Sequence, residues 1–260
     1  MKTSIYYFSG TGNSLKIARD LSEKLEECEL VPIAKVWQNK HLVSVSEKVG
    51  FIFPLYFFGL PKIVYDFVDK IEFDDSNYFF AVITRGGDLD CVALYQLEEI
   101  LKAKSKSLNA GFFVRMPANF YRNDTESEKE QIFREAIREI EKISKIINEN
   151  GNTPKIEIDE KKKNQWEKIN YKFRKTVNIN DKSFYADEKC TQCGTCEKIC
   201  PVNNIILVEG VPQWQHECQQ CVACINFCPE NSIHYGKKIS ENQGYHHPEI
   251  TVQDMINQKG

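Results

Sequence analysis

Eight cysteines lie between residues 190 and 228, in two runs of one pattern: Cys190-x2-Cys193-x2-Cys196-x3-Cys200-Pro201 and Cys218-x2-Cys221-x2-Cys224-x3-Cys228-Pro229. The second run follows the first at an offset of 28 residues, at which Asn203 also matches Asn231 and Ile205 matches Ile233. An internal repeat of this kind predicts two halves related by a pseudo-two-fold axis. Three closely spaced thiolates can occupy three corners of one iron–sulfur cube, and the fourth corner then needs a ligand from elsewhere. Zinc is the competing occupant, because four cysteines commonly hold it. Zinc ribbons, however, use paired C-x2-C knuckles rather than a C-x2-C-x2-C-x3-C-P run given twice.

From about Asp187 to Tyr235 the sequence resembles the bacterial ferredoxins that carry two [4Fe–4S] clusters, with no ligand missing. The resemblance implies that the fourth cysteine of each run crosses to the other cluster. On that pattern Cys190, Cys193, Cys196 and Cys228 hold the first cluster, and Cys218, Cys221, Cys224 and Cys200 hold the second. Each following proline fixes φ and offers no amide donor, which helps the chain turn away after the crossing ligand. Residues 205–208 and 211–214, joined by Glu209-Gly210, read as a hairpin that shields the clusters.

The first 150 residues alternate short apolar runs with helical periodicity. Ile5 to Phe8, Val49 to Phe53, Tyr78 to Thr84 and Phe112 to Val114 are apolar on both faces, as strands of a covered parallel sheet are. Leu15, Ala18, Leu21 and Leu25, then Val92, Tyr95 and Leu101, recur at helix spacing. Thr125 with Glu128 forms a capping-box signature ahead of Ile132, Phe133, Ala136, Ile137, Ile140, Ile143 and Ile147, read as one apolar face. Alternating βα units predict an α/β doubly wound sheet.

The first strand runs straight into Ser9, Gly10, Thr11, Gly12, Asn13 and Ser14 and then a helix. Backbone N–H groups beside a helix N-terminus make a ready phosphate site. The loop lacks GxGxxG, and it lacks the Lys of GxxxxGK[ST]. It resembles the phosphate loop of flavodoxins, in which the single phosphate of FMN is held, with Ser14 where Thr is more usual. Two further loops follow strands in the flavodoxin-like order: Pro54, Leu55, Tyr56, Phe57, Phe58 and Gly59, then Thr84, Arg85, Gly86 and Gly87. The resemblance covers roughly residues 1 to 150 and implies a flavodoxin-like sheet with FMN at the carboxyl ends of its strands. Three consecutive aromatics between prolines cannot all face inward, so one or two of Tyr56, Phe57 and Phe58 are expected in core packing and at least one of Tyr56 and Phe57 against the flavin ring. Arg85 is expected at the pyrimidine edge, the alternative being an exposed surface arginine.

Four segments are therefore expected: an FMN-binding domain over 1–150, a linker with an amphipathic helix over 151–185, a ferredoxin domain over 186–236 and a polar tail over 237–260. The linker helix follows from Trp166, Ile169 and Phe173 at i, i+3 and i+7. Lys161, Lys162 and Lys163 read as a solvated face. In the tail, His246 and His247 read as surface residues, and Cys28 and Cys91 as small buried ones without a role. A net charge of −3 gives no global sign of nucleic-acid binding, for which a strongly basic surface is expected, and no stretch approaches a membrane span. The opening apolar run is too short for a secretion signal and Ser9-Gly10 breaks it, so the cytoplasm is the expected compartment.

As a whole the sequence resembles the flavodoxin–ferredoxin fusion proteins of anaerobes. That resemblance implies two [4Fe–4S] clusters, FMN and a redox partner protein, with electrons passing among them. No acid–base pair, triad or nucleotide motif is evident. Two rival readings stand beside the carrier. One is an FMN-dependent reductase of a small molecule or metal complex, with a pocket lined by Arg85, Asp88 and residues from Asn119 to Asn123. The other is a ferredoxin whose flavodoxin-like domain is a flavin-free docking module.

Overall fold

The computed structural model describes residues 2–88, 90–120, 124–155, 157–236 and 244–259. Its first part comprises β1 (Thr3–Tyr7), α1 (Asn13–Ser22), β2 (Cys28–Pro32), α2 (Ile33–Val36), β3 (Val43–Ser44), β4 (Lys48–Pro54), α3 (Lys62–Lys70), β5 (Glu72–Phe73), β6 (Tyr78–Arg85), α4 (Ala93–Ala103), β7 (Ala110–Arg115) and α5 (Glu126–Asn148). Five of these strands form one parallel sheet in the order β2-β1-β4-β6-β7. The order reverses at β1, so the loops after β1 and β4 flank the crevice where doubly wound sheets take ligands.

The sequence signals explain most of these elements. Strands β1, β4 and β6 are buried along almost their whole length, consistent with apolar runs covered on both faces. Helix α1 packs beside α5, and α3 beside α4. Thr125 and Glu128 form the expected reciprocal capping box at the start of α5. One expectation on that helix is corrected: Ile137 is exposed, while Ile132, Ala136, Ile140, Ile143 and Ile147 carry the buried stripe. Strand β2, which the apolar runs do not reveal, is a partly exposed edge interrupted by Glu29.

The second part comprises α6 (Glu160–Thr176), a 3₁₀ turn (Val177–Ser183), β8 (Phe184–Ala186), α7 (Thr195–Ile199), β9 (Ile205–Val208), β10 (Val211–Trp214), α8 (Ala223–Asn226), β11 (Ile233–Tyr235) and α9 (Val252–Lys259). The 28-residue repeat is also a repeat of the backbone. Ile205 pairs with Trp214 in the β9/β10 hairpin, and Ile233 pairs with Ala186 in the β8/β11 pair at the equivalent register. Positive φ recurs at matched positions: Gln192 with Gln220, Gly194 with Val222, and Asn203 with Asn231. At the second of these, glycine adopts the left-handed conformation freely, whereas Val222 holds it at a cost of about 1–2 kcal/mol. The Glu209-Gly210 turn closes the expected hairpin with both residues left-handed, as two-residue hairpin turns require.

Candidate redox centre

The eight clustered cysteines divide into two rings. Cys190, Cys193, Cys196 and Cys228 line one cavity, together with Leu207 and Pro212 of the hairpin. Cys200, Cys218, Cys221 and Cys224 line another, backed by Phe184 and Trp214. Each ring thus takes three cysteines from one run and the last from the other. All ten cysteines are free of disulfides.

The rings differ in surroundings. Cys193 is exposed and Cys190 and Cys228 are half-buried, whereas all four members of the second ring are buried. Burial, reinforced by the neighbouring sulfurs, pushes the Cys221 thiol up to about 12 and drives Cys218 and Cys224 upward too. At the outer ring the Thr195 hydroxyl holds Cys193 below the ordinary thiol range. Buried thiols that resist ionisation are compensated by a cationic centre bound among them. Backbone N–H groups also point at sulfur: Asn204 N donates to Cys200 Sγ at 3.2 Å, and the repeat-related Ser232 N donates to Cys228 Sγ at 3.4 Å. The donor set fits two four-cysteine clusters.

At the carboxyl end of the parallel sheet lies a cavity of about 380 Å³, within the range of small-molecule sites. Ser9, Gly10, Thr11, Asn13 and Ser14 line it from the first loop, Pro54, Leu55 and Tyr56 from the second, and Thr84, Arg85, Gly86 and Gly87 from the third. A fourth wall follows β7: Asn119 and Phe120, within the segment expected in the reductase pocket, and Met116, Pro117 and Ala118, which carry no glycine or hydroxyl motif by which sequence could announce them. Asn119 Nδ2 donates to Thr11 Oγ1 at 3.1 Å, and Ser14 Oγ and Thr84 Oγ1 share a hydrogen at 2.7 Å. The first turn of α1 holds no acidic residue and its N-cap is Gly12, so its amides suit an anionic phosphate. The residues fit a flavin mononucleotide. Of the residues expected in the rival reductase pocket, Arg85, Asn119 and Phe120 line this cavity and Asp88 does not, while Tyr121, Arg122 and Asn123 lie outside the described residues.

Four expected loop residues do not line this cavity. Gly12 caps α1 in the left-handed conformation, its Cα turned against Ile250. Phe57 stacks on Phe173 at 4.2 Å and Phe58 on Trp166 at 4.0 Å. Both phenylalanines have positive φ, in a tight turn where Tyr56 and Gly59 exchange backbone hydrogen bonds. The stacking on α6 offsets that strain. Gly59 packs against Asn170 and Gln96. Asn170, buried within α6, donates to the carbonyls of Tyr56 and Leu60 at 3.0 and 3.1 Å. The amphipathic stripe of α6 therefore braces the second loop, and the sequence gives no sign that Asn170 takes part.

Arg85 reaches the cavity with its guanidinium 4.6 Å from the Phe113 ring centroid and Nη2 donating to Asp88 at 2.8 Å. Cys91 is buried, and Cys28 is half-buried with its thiol pushed up to about 11 by burial.

The polar tail is also corrected. His247 is 2% exposed, its ring against Phe133, and His246 stacks on Phe227 at 4.3 Å. Burial is the main cause that lowers His247 to about 4 from 6.5. Its folded value is depressed, so the unfolded chain takes up the proton first, and stability is lost as pH falls from about 6.5 toward 4. The loss is expected to reach about 3 kcal/mol across that window. Urea unfolding at pH 6.5 and 5.0 should show a steeper decline for the native chain than for His247→Gln; equal slopes would refute this assignment.

A family model of the flavodoxin domain matches residues 4–133, and two models of the 4Fe-4S binding domain match residues 185–206 and 215–236. The chain belongs to the flavodoxin family, with a two-motif [4Fe–4S] ferredoxin module fused behind its flavodoxin domain. It is a redox protein of iron–sulfur clusters and a flavin, with an electron-transfer role toward a partner or acceptor. Among solved structures it is similar to an FMN-dependent NADH-azoreductase from Bacillus anthracis in complex with FMN, at 12% identity over 57% of this chain and 100% of that one, TM-score 0.41. It is also similar to rubredoxin oxygen:oxidoreductase from Desulfovibrio gigas, at 17% identity over 54% of this chain and 36% of that one, TM-score 0.34. No curated protein matches the chain. Among the described residues no helix is long and apolar enough to cross a membrane.

Proposed function

We propose that the protein is an electron carrier, with FMN in the sheet-end cavity and two [4Fe–4S] clusters in the cysteine rings linking it to a redox partner protein. Clusters exchange single electrons and FMN accepts one or two, so the pair can interconvert one- and two-electron traffic. The observation that carries this reading is a shared wall. Gly10 lines the flavin cavity, and a Cβ placed there would run into the carbonyl oxygen of Cys221, a member of the inner ring. The same point lies 3.0 Å from Tyr56 Oη and 3.1 Å from Cys221 Cβ. Burial, with Cys221 and Cys218 close by, keeps the Tyr56 phenol protonated.

The remaining contacts hold that wall in register. Ile63 N donates to Gln219 Oε1 at 3.0 Å, and Asn226 Nδ2 donates to the Asn119 carbonyl at 3.2 Å. The outer ring faces water through Cys193, beside a hairpin that exposes Ile206, Val208 and Val211. An exposed apolar rim beside an exposed ligand suits docking of another protein. Polarity in the wire is thus supported: outer ring at the surface, inner ring against the flavin.

Purification without oxygen, followed by iron, sulfide and flavin assays, tests the reading. About eight irons and one FMN per chain are expected. Colourless protein that carries zinc, or a clustered protein without flavin, would overturn it.

A further inference from the structure

The residues after the cysteine runs close back on the loop that would hold the flavin phosphate. Gln258 is fully buried; its Oε1 accepts from Ser9 N at 2.8 Å and its Nε2 donates to Ser9 O at 2.9 Å. His247 N donates to Thr11 O at 2.8 Å. Tyr245 Oη donates to Asn13 Oδ1 at 2.8 Å, while Asn13 Nδ2 donates to Pro117 O at 3.0 Å. Glu249 pairs with Lys16 at 2.9 Å and Asp254 with Arg19 at 2.5 Å, which fastens the segment along α1.

These contacts set the direction of the loop amides. In a trans peptide the C=O and the following N–H point opposite ways, and the described chain has no cis bond. Gln258 draws the Ser9 carbonyl toward the C-terminal segment, so the Gly10 N–H is turned the other way, on the residue that lines the cavity. His247 does the same for the Thr11 carbonyl, and the Gly12 N–H accordingly meets Ser9 Oγ at 3.1 Å inside the loop. Two carbonyls that would repel an anion are held on the side of the C-terminal segment, and the Gly10 amide, which could bind one, faces away from that segment.

We propose that the segment from Tyr245 to Gln258 is part of the flavin-phosphate site, with Gln258 as the positioning residue that presets the loop for a phosphate monoester. The proposal rests on the FMN reading above, and its test separates the two. Cluster-loaded full-length protein freed of flavin is titrated with FMN and with riboflavin, which lacks the phosphate, by flavin fluorescence. Removing the two Gln258 hydrogen bonds in Gln258→Met is expected to weaken FMN about tenfold and to leave riboflavin unchanged. Equal weakening of both ligands, or of neither, overturns the proposal. Should Gln258→Met fail to fold, Tyr245→Phe carries the same comparison, with a smaller loss confined to FMN expected and an equal loss of both again overturning it. Native protein that binds neither ligand refutes the FMN reading instead.

Discussion

Replacing Cys200 with alanine should remove the inner cluster and spare the outer one, although Cys200 belongs to the first cysteine run. Cys200 lines the same cavity as Cys218, Cys221 and Cys224, not that of its sequence neighbours Cys190, Cys193 and Cys196. Iron content is expected to fall from about eight to about four per chain. The surviving cluster should be the one beside exposed Cys193, so an external one-electron donor still reduces it while anaerobic flavin bleaching slows. Cys228→Ala should do the reverse, removing the outer cluster and leaving the flavin-side one. If each substitution instead destroys the cluster of its own run, the crossed assignment is wrong.

Gly10→Ala should be strongly damaging for so small a substitution in the flavodoxin domain. The added methyl meets the backbone carbonyl of Cys221, which no rotamer can move, so the ferredoxin module must shift or the loop must deform. Overpacking of this kind costs about 1–3 kcal/mol. Gly87→Ala is the control: that cavity glycine has nothing within 4 Å of a Cβ, and an effect within about 0.5 kcal/mol is expected. Urea unfolding of the two variants, with the rate of flavin reduction by an external donor, checks both. A Gly10→Ala protein as stable and as fast as native would mean that the shared wall is not tight.

Much of this architecture is legible because its chemistry is local. Cysteine spacing within each run, the loop from Ser9 to Ser14 and the Thr125 capping box work through residues a few positions apart, and the 28-residue repeat copies one such local pattern. What escapes the sequence is long-range. Phe57 and Phe58 are turned from the cavity by stacking on Phe173 and Trp166, more than a hundred residues later. Asn170 acts through the carbonyls of Tyr56 and Leu60. Buried Gln258 gains its role only from Ser9, at the other end of the described chain. A single glutamine, asparagine or histidine carries no periodicity, so its partner becomes visible only once the chain is folded.

The position of the clasp in the chain sets an order of biogenesis. Helix α9 touches α2 of the flavodoxin domain and α7 of the ferredoxin module, and Lys259 Nζ donates to the Glu197 carbonyl at 3.1 Å. Every one of the eight clustered cysteines precedes that helix, so a ribosome has made all of them before the loop from Ser9 to Ser14 can meet Gln258. On the proposed cofactor assignment, loading would then run from metal to flavin, and a released chain that ends ahead of residue 244 should retain the nucleotide only weakly.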